Sequence, residues 1–145
     1  MFRADMDDSA ARNWTDRAAP SLDDLEAMGR VALTQLPEAF RKQIGDVLIG
    51  VAEFPEDDVL DELGAETPFD ILGLFTGVGM AHDAATPHTG RMPNLIWLYR
   101  RPILDYWAEH EETLGTIVTH VLIHEIGHHF GLSDDDMEAI EAAAG

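Results

Sequence analysis

The sequence predicts an α+β domain in which a small sheet lies against one buried helix. Three observations carry this expectation. Short runs at 47–51, 71–76 and 95–99 are rich in β-branched and aromatic residues and have strand length. Segments with helical periodicity fill the intervals between and around them. From 111 to 130 the apolar residues cover most of a helix circumference, as in a helix enclosed by other elements. With 145 residues, 46% of them hydrophobic, the chain can build one core of ordinary size, so a single domain is expected.

In chain order, residues 1–20 are polar, acidic and without periodicity, which reads as a mobile tail ahead of a domain spanning 21–145. Ser21 is a helix N-cap with Asp23 and Asp24 in the first turn, and Leu22, Leu25, Met28, Val31 or Ala32, and Leu36 form the apolar stripe of a helix to about Gln35. Pro37 opens a second short helix to Ile44. Val47, Ile49 and Val51 alternate with Leu48 and Gly50 in a strand that must end before Pro55. Residues 57–63 form an acidic helical turn, and 71–76 are the second strand. Glycine and proline density makes 77–93 a loop long enough to border a functional site. Its His82 and His88 are either ligands or substrate contacts, or loop histidines without a role. The third strand is 95–99, and a short helix from Pro102 to about His110 carries Tyr106 and Trp107. Ile117, Val118, Val121, Leu122, Ile123 and Ile126 surround the helix expected over 111–130.

The chemistry concentrates at the end of that helix, in His-Glu-Ile-Gly-His-His-Phe-Gly-Leu-Ser-Asp at 124–134. His124 and His128 are four residues apart, about 40° around the axis, so both imidazoles reach one ion from the same face. Glu125 is offset by about 100° from His124, poorly placed as a ligand but within reach of a metal-bound water as a general base. Gly131 can take a left-handed cap that turns the chain, after which Asp134 offers a hard oxygen ligand. Two imidazoles, one carboxylate and an open position describe a catalytic rather than a structural zinc site. A shuffled sequence of this composition contains the five-residue core roughly 3% of the time, but the core with Gly131 and Asp134 only about 2 times in 10,000, so the extended pattern is the specific signal. His120, one turn before His124, is either a partner of a ligand or a satisfied core histidine, and His129 faces solvent or the helix packing.

Residues His124, Glu125, His128, Gly131 and Asp134 match one for one the longer motif of the metzincin clan of zinc peptidases, with Asp in the last place as in its snapalysin-type variant. Together with Leu-Ile-Trp-Leu-Tyr-Arg-Arg-Pro-Ile at 95–103 and Leu-Pro-Glu-Ala-Phe at 36–40, the stretch resembles a family of small bacterial proteins with a minimal zincin-like domain, over roughly 21–140. The resemblance implies a small mixed sheet packed on an active-site helix with flanking helices. It also implies a zinc metallopeptidase with one Zn²⁺ per chain. Metzincins place a methionine turn well beyond the third ligand, whereas here the methionine downstream is Met137, which either underlies the site or packs in a last helix. In zincin-like folds an extended peptide pairs with the edge strand above the helix, and either 71–76 or 95–99 could be that edge. Tyr99 and Tyr106 are candidate oxyanion donors or packing residues.

Nine basic residues against 28 acidic ones give a formal charge of -19, which repels nucleic-acid phosphates and anionic membranes. Nucleic acid and membrane are therefore not expected as partners, and the resemblance implies a peptide or protein substrate. The chain has no cysteine, so disulfides and thiolate zinc sites are excluded. No stretch resembles a signal peptide or approaches the ~20 apolar residues of a membrane span, so the expected location is the cytoplasm. Two other classes fit parts of the pattern. One is a zinc-binding regulatory or partner-binding module with little catalysis. The other is a metal-dependent ribonuclease, against which Glu125 and the charge of -19 both count.

Overall fold

The computed structural model describes residues 8–77 and 94–144. Ser21 caps α2 (Leu22–Gln35) by a reciprocal pair: its hydroxyl accepts from Asp24 N–H at 3.0 Å, and the Asp24 carboxylate accepts from Ser21 N–H at 2.8 Å. Leu25, Ala32 and Leu36 are buried while Val31 is 55% exposed, so the core stripe runs through Ala32. Upstream, where no regular structure was expected, α1 (Asp8–Thr15) forms. Its residues 11–15 are all exposed, so that part of the helix leaves no core-facing stripe in the sequence.

After α3 (Glu38–Ile44), the strand β1 (Val47–Ala52) leads through α4 (Asp57–Leu63) and a single 3-10 turn (Pro68–Asp70) to β2 (Gly73–Thr76). The second strand is thus shorter than the 71–76 run. Strand β3 (Asn94–Tyr99) takes the centre of a three-stranded sheet in the order β1-β3-β2, parallel to β1 from Val47↔Asn94 to Ala52↔Tyr99 and antiparallel to β2 from Gly73↔Leu98 to Thr76↔Leu95. Paired on both sides, β3 cannot be a substrate-binding edge.

Tyr99 passes directly into α5 (Arg100–Glu109), followed by α6 (Leu114–His129) and α7 (Asp134–Ala144). Ile117, Val118, Val121, Leu122, Ile123 and Ile126 of α6 are all buried, packed with Ile96 and Leu98 of β3, Leu25 of α2 and Ile103 of α5. A mixed sheet on a central helix with flanking helices is therefore the architecture. Among the described residues, no helix is long and apolar enough to cross a membrane.

Candidate active site

Helix α6 begins one turn into the segment expected for it. Thr113 is the N-cap, accepting from Thr116 N–H at 3.1 Å, so Glu111 and Glu112 precede the helix. Its far end closes on Gly131 at φ +75°, with Gly131 N–H donating to His128 C=O at 3.1 Å and Leu132 N–H to Gly127 C=O at 2.9 Å. That pair of bonds is the Schellman arrangement, and the left-handed residue it needs is the glycine anticipated from the sequence. Ser133 then caps α7, accepting from Asp136 N–H at 3.1 Å.

The turn folds α7 back along α6. A Cβ on Gly127 would lie 2.6 Å from Met137 Sδ and 2.9 Å from its Cγ, so the glycine inside the motif permits the approach of the two helices. Met137 is fully buried there, beneath the residue that precedes His128. Four residues further, on the same face of α7, Glu141 reaches α6 one turn earlier. Its Oε1 lies 2.6 Å from His120 Nδ1 and 2.9 Å from His124 Nε2, and the two imidazoles stack with centroids 3.9 Å apart. Although buried, this oxygen accepts no hydrogen bond, because the nitrogens crowd it without directing an N–H along the required angle. Neither of these contacts is an ordinary ion pair in geometry, despite the short distances.

Among the described residues, the donors within 4.8 Å of one another are those of His120, His124 and Glu141. His124 is thus in a converging group, but His128 and Asp134, expected beside it, are not. His128 is exposed, its ring 6.1 Å from that of His124 and tilted by 56°. Asp134 is the exposed first residue of α7. His120 is half-exposed rather than a core histidine. His129 packs its ring on Phe75 of β2 at 4.2 Å. His82, His88 and most of their loop lie outside the described residues. Two imidazoles and an unsatisfied carboxylate oxygen, with no thiolate available, are a donor set that suits Zn²⁺.

His124 and Glu125 share the wall of a cleft of about 260 Å³ with Gly73, Tyr106, Glu112 and His120. Strand β2 can come this close to α6 because residue 73 is glycine: a Cβ there would meet Val121 Cγ1 at 2.5 Å, Trp97 O at 2.9 Å and Glu125 Cγ at 3.6 Å. Burial pushes the Glu125 carboxyl above its ordinary pKa, an effect partly opposed by the charge of His128. A carboxyl raised in this way holds a proton more readily, as a group that accepts and returns one requires. Tyr106 lines the cleft, its hydroxyl donating to Glu112 Oε2 at 3.5 Å. Tyr99 is only 4% exposed, and its phenol is pushed up to about 12 by burial and then by the charges of Glu56, Glu125 and Asp58. Sequence reasoning missed Glu141 altogether. It is one of several acidic residues on α7, and only the packing of α7 along α6 singles it out.

The family model for zincin-like metallopeptidases matches residues 44–144, from the end of α3 through the sheet and the motif helix to the end of α7. The chain belongs to that family. A comparison with curated proteins finds no match.

Proposed function

We propose that the chain is a zinc-dependent metalloendopeptidase, hydrolysing peptide bonds in peptide or protein substrates. In this reading His124, His128 and Asp134 hold one Zn²⁺ and Glu125 is the general base. The observation that carries the reading is the half-buried carboxyl of Glu125, adjoining His124 in a cleft that Gly73 of β2 also lines. When bound, the ion supplies a polarised scissile carbonyl and a water whose pKa falls toward ~7.

The chain's own groups do the rest. Glu125 takes a proton from the water as its oxygen bonds to the carbonyl carbon, then delivers that proton to the leaving amine as the C–N bond breaks. The raised proton affinity of Glu125 supports both halves of this exchange. Among the described residues β2 has one unpaired edge, and it adjoins the cleft through Gly73. An extended peptide added there would be held by main-chain hydrogen bonds, with little demand on its side chains.

Glu125→Gln tests the assignment, because it keeps size and polarity and removes the base. Zinc content and melting temperature should persist while cleavage of a peptide library falls by roughly 10²–10⁴. Removing the metal with a chelator should abolish cleavage by the wild type. Equal cleavage by wild type and variant would refute the role of Glu125. Zinc binding by both with cleavage by neither would identify a metal-binding module instead.

A further inference from the structure

We propose that His120, His124 and Glu141 form a binding set of their own for one divalent transition-metal ion. It lies one helical turn before the His124/His128 pair of the motif and shares His124 with it. The placement is a consequence of the fold. His120 and His124 are four residues apart on α6, their rings stacked on one face. Helix α7, held against α6 by the seating of Met137 on Gly127, brings Glu141 opposite both.

The geometry suits a cation better than it suits the carboxylate alone. Glu141 Oε1 sits 2.6 Å and 2.9 Å from two ring nitrogens and yet accepts no hydrogen bond from either. An ion pair between Glu141 and a protonated histidine would direct an N–H at that oxygen. Ligand bonds of about 2.0–2.2 Å at a tetrahedral ion place neighbouring donor atoms about 3.3 Å apart. Glu141 Oε1 therefore needs to separate by about 0.7 Å from the His120 nitrogen and by about 0.4 Å from the His124 nitrogen to admit the ion. His120, 51% exposed, has the freedom to move that far. Two imidazoles with one carboxylate select zinc or a neighbouring late transition metal over Mg²⁺ or Ca²⁺, which prefer all-oxygen sites. Because His124 belongs to both sets, α6 offers one ion two alternative seats a turn apart.

Zinc titrations in competition with a chromophoric chelator test this, using Zn²⁺ alone as probe. His128 and Asp134 are exposed, so a His128→Ala/Asp134→Ala variant removes the motif's other ligands without opening the core, and circular dichroism confirms that it is folded. This variant should still bind one zinc per chain. Adding Glu141→Gln or His120→Ala to it should weaken binding by about a hundredfold or more. The proposal is overturned if the double variant binds no zinc, or if both additions leave its affinity within about twofold, the reach of a bystander. If the double variant binds as tightly as wild type, the His128 and Asp134 assignment under the proposed function fails while this one stands.

Discussion

Gly73→Ala places a methyl where β2 meets the motif helix. Its Cβ would stand 2.5 Å from Val121 Cγ1 and 2.9 Å from the backbone oxygen of Trp97. Carbon atoms in good contact are about 3.5–4.0 Å apart, so β2 and α6 must separate by about 1 Å. Neither neighbour yields cheaply: Val121 is buried and its β-branched side chain is restricted in a helix, while Trp97 O belongs to the central strand. Overpacking of this kind costs about 1–3 kcal/mol. Replacing glycine returns about 0.4–1 kcal/mol through the unfolded chain, leaving a net loss centred on about 1–1.5 kcal/mol. For a chain of 145 residues that is a fall in melting temperature of about 3–8 °C. Peptide cleavage should drop by up to about 10², because an ångström of misplacement at Glu125 is felt more by a reaction than by a fold. Thermal denaturation followed by circular dichroism and a peptide-cleavage assay measure the two effects. Val121→Ala removes the closer obstruction, so in a double-mutant cycle the pair should be less destabilised than the sum of the singles, with activity partly restored. A Gly73→Ala protein with wild-type melting and rate, or strict additivity with Val121→Ala, would refute the close-approach argument.

Met137→Ala should destabilise by about 2–5 kcal/mol in urea denaturation, since it empties a fully buried site between α6 and α7; a loss below about 0.5 kcal/mol would contradict that seating. Gly131→Ala forces a side chain into φ +75° and should cost about 1–2 kcal/mol by the same measurement. In the Tyr106→Phe variant, where Tyr99 is the remaining tyrosine, absorbance titration should show the phenol ionising near about 12 rather than near 10.0. The folded-state pKa of this acid is raised, so the fold holds its proton more tightly than the unfolded chain, and stability should decline as pH climbs from 10.0 toward about 12. Ionisation at the unperturbed value would place Tyr99 in solvent.

The sequence made most elements legible because local signals and tertiary demands agree in them. Ser21 with Asp24 is a capping pair in sequence and in space, and the six apolar residues of α6 are buried as their spacing requires. Agreement fails where residues face solvent throughout, as at 11–15 of α1, or where a strand's extent is set by its partner, as when pairing with β3 limits β2 to Gly73–Thr76. The site divides along the same line. His124, Glu125 and His128 are related by helix geometry, so their spacing alone states what one helix can bring together. A third ligand comes from another element, and its identity depends on how that element packs. Gly131 fixes the reversal of the chain, but the contact between Met137 and Gly127 sets how α7 lies along α6, and with it which carboxylate meets which imidazole. Asp134 is nearest the turn and stands last in the spacing read from the sequence, whereas Glu141, two turns on, lies against His120 and His124. A carboxylate two helical turns from the motif carries no spacing signal, which is why a motif search ends at residue 134 and the packing of the last helix does not.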